Sequence, residues 1–122
     1  MSLISFLKFF FKRGISTNTK THIKKMLKSV SSPLNYEDKK SLIIQLDSAL
    51  GLVLSDLYGK NSVGTNLKKA KNRFSKEVYN QLWHAHKIRN ILIHEPTKKI
   101  NSKDLDTALK VYKKVFIELK AY

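Results

Sequence analysis

The chain has no cysteine, only two prolines and four glycines among 122 residues, and few acidic side chains. Without cysteine, a disulfide scaffold, thiolate catalysis and cysteine-ligated zinc or iron–sulfur sites are excluded. The scarcity of glycine and proline argues against a turn-rich β-sandwich and against a glycine-rich phosphate loop. The length allows one domain with one modest core. We therefore expect a small cytoplasmic protein that has neither a metal nor a cofactor.

Positive charge dominates the composition. The chain has 24 Lys and Arg residues but only nine Asp and Glu residues, which gives a net charge of +15. Hydrophobic residues make up 42% of the chain, too many for a disordered basic tail. The charge therefore belongs to the surface of a folded body, and it predicts attraction to nucleic acid phosphates or to anionic lipid.

Apolar residues recur with a helical period throughout, and no stretch alternates long enough for a strand. The sequence predicts an all-α fold: an antiparallel bundle of four to five helices with an extra N-terminal helix. Residues 1–32 form a basic, phenylalanine-rich and helical N-terminal extension in this prediction, and residues 33–122 form the bundle. Asn35 and Ser102 are the expected caps of its first and last helices, and Pro96 follows the helix that begins near Ser75. The helices before Pro96 are expected at about 36–58, 65–70 and 75–94.

The N-terminal segment 2–13 is rich in phenylalanine and carries its positive charges late. A secretory signal begins with positive charge, and a membrane span needs a longer apolar run, so neither fits. The pattern suits a helix packed on its own domain or on a second copy of the chain. It also suits a helix lying on a membrane surface, which would make the protein a peripheral scaffold.

One arginine interrupts the apolar side of the helix that begins near Ser75. Arg89 falls in the middle of the apolar arc, and a guanidinium there needs a carboxylate, an anion or a wet cleft. A structural ion pair with Asp47 or Asp56 is one interpretation, and a functional site is the other. The residues of the arc are Val78, Leu82, Ala85, Leu92 and Ile93.

The string 83–95, WHAHKIRNILIHE, contains Arg89, Asn90, three apolar residues, His94 and Glu95. It resembles the signature of the HEPN superfamily, small helical bundles marked by an Arg, a polar residue and a His at the end of a helix. The stretches 46–50 and 63–67 also look like uncharacterised bacterial HEPN-like proteins. The resemblance covers roughly residues 36–120.

The resemblance implies metal-independent cleavage of RNA by a homodimer whose two Arg–His elements face each other. Arg89 would hold the scissile phosphate, and His94 would take the proton of the 2′-hydroxyl, with Asn90 beside them. On an ideal helix Arg89 and His94 point about 140° apart. Either the helix loosens before Pro96, or His94 serves the site of the partner chain.

Three further residues are expected to support this site. His86 precedes Arg89 by three residues, so it is either a second acid/base group or a half-buried interface histidine. Asp47 is the expected partner of Arg89, although the sequence is equally consistent with a solvent-exposed Asp47 at the edge of its helix. Glu95 supplies an acid directly after His94. His84 and His86 lie two residues apart on a helix, where their side chains diverge too far to bind one metal ion.

Basic clusters favour a polyanion as partner, and the resemblance implies that this polyanion is RNA. The residues expected to contact nucleic acid are Lys68, Lys69, Lys71, Arg73, Lys76, Lys98 and Lys99. Tyr79 and Trp83 either stack on bases or pack at an interface. The ribonuclease would be toxin-like, and a protein antitoxin or other neutralising partner stays open. The alternatives are a HEPN-like module that binds RNA, a nucleotide or a protein without cleavage, and the membrane-surface scaffold.

Overall fold

The computed structural model describes residues 14–122, which form an all-α bundle of five helices without a strand, as the sequence predicts. A 3-10 turn, Lys71–Arg73, separates the third helix from the fourth. The phenylalanine-rich segment 2–13, with its predicted packing or membrane contact, lies outside the described residues. The helices are α1 Thr17–Val30, α2 Tyr36–Tyr58, α3 Val63–Lys69, α4 Lys76–His94 and α5 Ser102–Glu118.

The central element of the bundle is α2, which packs against all four other helices. Its apolar residues recur every three or four positions, so one broad face of the helix is removed from water. Helices α4 and α5 form the other main contact, and both also pack against α2. Fully buried side chains at the centre include Leu46, Leu50, Leu82, Tyr112 and Phe116.

Helix α1 lies within the predicted extension 1–32 and shares the core of the bundle. Its buried residues are Ile23, Met26 and Leu27 on one face, together with Thr19. Asp56 of α2 accepts hydrogen bonds from the Ser16 backbone N–H at 3.1 Å and from the Thr19 hydroxyl at 3.4 Å. These contacts fix the start of α1 and occupy Asp56, which the sequence offered as a partner of Arg89.

Capping side chains set the helix boundaries. The side chains of Asn35 and Ser75 accept hydrogen bonds from the third residue after each of them, as N-caps do. The predicted cap Ser102 is wrong, because Asn101 caps α5 and accepts from the Lys103 N–H at 2.7 Å. The Ser102 hydroxyl instead accepts a hydrogen bond from Lys39 at 3.2 Å.

Among the described residues, α2 is the one helix whose length and apolar composition would allow it to cross a membrane. Its side chains, however, form the centre of the core, from Leu42 to Leu54. Core helices of folded domains pass the same test of length and composition, so α2 provides weak support for a membrane location.

The loop between α4 and α5 is fastened to the start of α2 by one tyrosine. The Tyr36 hydroxyl donates to the Ile100 carbonyl at 2.9 Å and accepts from the Ile100 N–H at 3.0 Å. A single side chain thus satisfies both backbone groups of a half-buried residue.

We expect Tyr36→Phe to lower the free energy of unfolding by about 1–3 kcal/mol, because both backbone groups of Ile100 lose their partner. Urea denaturation measures the change. Tyr122→Phe is the matched control, since Tyr122 is 46% exposed and loss of its hydroxyl should change the free energy of unfolding little. Equal stability of the two variants would contradict the role given to Tyr36.

Candidate functional site

A buried carboxylate lies at the centre of the bundle. Asp47 of α2 is 1% exposed, and its Oδ2 accepts a hydrogen bond from the Tyr112 hydroxyl at 2.7 Å. The same oxygen lies 2.9 Å from Nδ1 of His86. Burial of a carboxylate is unfavourable unless hydrogen bonds replace its hydration, and here α4 and α5 each supply one. Asp47 therefore ties three helices together.

Arg89 approaches the same carboxylate without a hydrogen bond. Its Nε lies 3.6 Å from Asp47 Oδ1, and in the described part of the chain this buried Nε has no hydrogen-bond partner. Its Nη1 donates to the Asn90 side chain at 2.9 Å. The Arg89 side chain is 28% exposed, so the charge paired with buried Asp47 reaches the surface. We call Asp47, His86, Arg89 and Tyr112 the Asp47 cluster.

His86 lies on the same face of α4 as Arg89, one turn earlier, and is 12% exposed. Because an ionised carboxylate only accepts hydrogen bonds, Asp47 selects the tautomer with the proton on Nδ1. Nε2 is then the free nitrogen of His86. The Trp83 ring packs against the imidazole in a T-shaped arrangement, with ring centroids 6.0 Å apart. The ring of His86 is thus held by a hydrogen bond and by packing.

His94 is the last residue of α4 and is exposed. The helix does not loosen before Pro96, because the Glu95 N–H donates to the Ile91 carbonyl at 2.8 Å, as a regular helix requires. No hydrogen bond in the described chain joins His94 or the exposed Glu95 to the Asp47 cluster. The structure therefore brings Asp47, His86, Arg89 and Asn90 together within one chain, but not His94 or Glu95.

The basic residues predicted to contact RNA are all exposed and fall into two groups. One group lies where α3, the 3-10 turn and the start of α4 meet: Lys68, Lys69, Lys71, Arg73 and Lys76. The other consists of Lys98 and Lys99, in the loop after α4. These two groups lie at opposite ends of α4, which is about 28 Å long, and the Asp47 cluster lies between them. Arg73 also lies over the Tyr58 ring, 5.8 Å from its centroid.

Sequence analysis missed the role of Tyr112, a buried residue of α5. Burial raises the pKa of Tyr112 well above its ordinary value, and the nearby Asp47 charge adds to this effect. The phenol therefore stays protonated and donates to Asp47. An aspartate in the apolar stripe of one helix and a tyrosine in that of another are the signal that could have identified the pair.

We expect Tyr112→Phe to lower the free energy of unfolding by about 1.5–3 kcal/mol at neutral pH, because a charged acceptor loses its donor. Tyrosine in the unfolded chain ionises near pH 10, whereas the raised pKa keeps Tyr112 protonated in the folded chain. The stabilisation is therefore complete below about pH 10 and decreases above it. Urea denaturation of both proteins on either side of that pH should show their difference shrinking as pH rises. A difference independent of pH would contradict this account.

Comparison of the chain with protein-family models, with curated proteins and with solved structures finds no match. The contacts and charges of the Asp47 cluster are therefore the basis on which a function is inferred.

Proposed function

We propose that the chain is a metal-independent endoribonuclease of the HEPN type, acting as a homodimer with a composite Arg/His site. The observation that carries this proposal is the juxtaposition of Arg89 and His86 at the surface by one buried carboxylate, Asp47. An arginine that reaches solvent beside a histidine of fixed tautomer provides a phosphate anchor and a proton-transfer group side by side.

The chemistry follows from these two groups. The 2′-oxygen of the ribose attacks the adjacent phosphorus while a histidine accepts its proton. The bond from phosphorus to the 5′-oxygen breaks, and a second histidine protonates the departing oxygen, which leaves a 2′,3′-cyclic phosphate. Arg89 stabilises the negative charge that develops on the phosphoryl oxygens. DNA is inert in this reaction because it lacks the 2′-hydroxyl.

The two histidines come from different chains in this proposal. His86 shares the face of Arg89, whereas His94 points about 140° away on a helix that stays regular to its end. His94 therefore completes the site around Arg89 of the facing chain. A two-fold axis near the end of α4 would create two such sites, since it repeats each contact.

We expect Arg89→Lys and His94→Ala each to reduce RNA cleavage by about 10²-fold or more in the presence of EDTA. Lysine keeps the charge but not the planar fork that grips a phosphate through two hydrogen bonds. RNA affinity of His94→Ala should stay nearly normal, because exposed lysines supply most of it. Labelled RNA measures both quantities, and His84→Ala, an exposed histidine of the same helix, is the matched control.

Thermal melting separates catalysis from stability in these variants. If Arg89 has only a structural role, Arg89→Lys should lower the melting temperature together with cleavage, as removal of its partner in Asp47→Ala does. Normal cleavage by a folded His94→Ala protein would remove His94 from the mechanism.

Mixing the two inactive variants tests the composite site. A heterodimer of Arg89→Lys and His94→Ala chains contains one site with both Arg89 and His94 intact. Half of the dimers in an equal mixture are heterodimers, so about a quarter of the native activity should return after subunit exchange. Each variant alone is the control, and light scattering reports the dimer. No recovery despite complete exchange would contradict the sharing of a site between chains.

RNA binding without cleavage is the second candidate function. The observation that favours it is the exposure of both lysine groups, which suits phosphate contacts whatever the Asp47 cluster does. Salt-dependent binding of RNA that stays intact would identify this function. The membrane-surface role depends on residues 2–13, which lie outside the described residues.

A further inference from the structure

A cavity of about 460 Å³ opens where the 3-10 turn meets the start of α4. Its size falls within the range of about 300–1,000 Å³ typical of small-ligand sites. Two lysines, two asparagines and two aromatic residues line it, and none of the described acidic side chains does. The lining residues are Lys71, Asn72, Phe74, Lys76, Tyr79 and Asn80.

We infer that this cavity is a subsite for one nucleotide of a single-stranded RNA, a role that rests on the proposed function and extends it. Lys71 and Lys76 supply charge for a phosphate, and half-buried Tyr79 supplies a ring on which a base stacks. The amides of Asn72 and Asn80 offer both donors and acceptors to a base edge. A free phosphate would use only the lysines, so the combination favours a nucleotide.

The cavity is connected to the Asp47 cluster by a row of rings on α4. Tyr79 and Trp83 pack edge to face with centroids 6.3 Å apart, and Trp83 packs in the same way against His86 at 6.0 Å. Tyr79 precedes Arg89 by ten residues, or about 15 Å along the helix axis. A strand with one nucleotide in the cavity would therefore run along α4 towards the phosphate anchor.

Trp83 does not line the cavity but packs against Tyr79, which does, so its fluorescence can report on binding there. A Cβ atom built on Gly64 of α3 would lie 3.5 Å from the Trp83 ring, which shows that the ring rests on this helix. It is the single tryptophan of the chain. A base stacked on Tyr79 would change its surroundings and hence its fluorescence.

The test is a titration of the full chain with AMP and, separately, with inorganic phosphate, followed by Trp83 emission. AMP should bind more tightly than phosphate. Tyr79→Ala should weaken AMP binding by about tenfold, the loss of one base stack, while Tyr79→Phe should keep it. Lys76→Gln should weaken both ligands, whereas Lys24→Gln, which removes the same charge from the exposed face of α1, should affect neither. Asn80→Ala, at an exposed position, tests the site if Tyr79→Ala fails to fold.

Two results would overturn the subsite: equal binding of AMP and phosphate, or AMP binding that withstands Tyr79→Ala and Asn80→Ala. Cleavage assays on the same proteins keep the two proposals apart. Unchanged AMP binding by Tyr79→Ala, with cleavage abolished by Arg89→Lys, rejects the subsite and retains the ribonuclease. AMP binding that depends on Tyr79 in a protein that never cleaves RNA rejects the ribonuclease and retains the subsite.

Discussion

The arrangement of α2, α4 and α5 depends on the buried charge of Asp47. A carboxylate that is 1% exposed must keep hydrogen bonds and a counter-charge, because each ion taken from water costs several kcal/mol. Tyr112 and His86 provide the hydrogen bonds, and Arg89 provides the charge at 3.6 Å. Any shift of α4 or α5 along α2 would break one of these contacts. The charge therefore fixes the register in which the helices pack, which an apolar contact alone would not do.

The same constraint places polar side chains where they can act. Helix α4 buries Val78, Leu82 and Ala85, yet it directs His86 and Arg89 to the Asp47 carboxylate beside them. Both side chains stay partly exposed, so a contact that stabilises the core also fixes two groups with acid–base and phosphate-binding chemistry. A loose ion pair suits this dual role, since Asp47 holds Arg89 nearby without taking a hydrogen bond from its guanidinium, of which Nη1 donates to Asn90.

Helix α4 also organises the charge around these groups. The basic cavity lies at its start, the Asp47 cluster at its middle, and His94 with Lys98 and Lys99 at and beyond its end. The aromatic row from Tyr79 to His86 connects the first two. The stretch that resembles the HEPN signature, 83–95, thus carries the second half of these features along α4. In the proposed homodimer, a second copy would bring another such surface to the exposed end of α4.

The sequence by itself determined the helical class, the ranges of α2 and α4, and the anomaly of Arg89, because caps and periodicity act within one or two turns. It also indicated Asp47 as a neighbour of Arg89. Asn101 and Ser102 are adjacent, and both residue types are favoured as N-caps, so the sequence does not show which of them caps α5. The prediction chose Ser102, whereas Asn101 is the cap. Only the tertiary structure decided that Tyr112, 65 residues from Asp47, donates to it, and that a 3-10 turn and α4 enclose a cavity. These features depend on how helices pack across long separations, which periodicity along one helix does not encode.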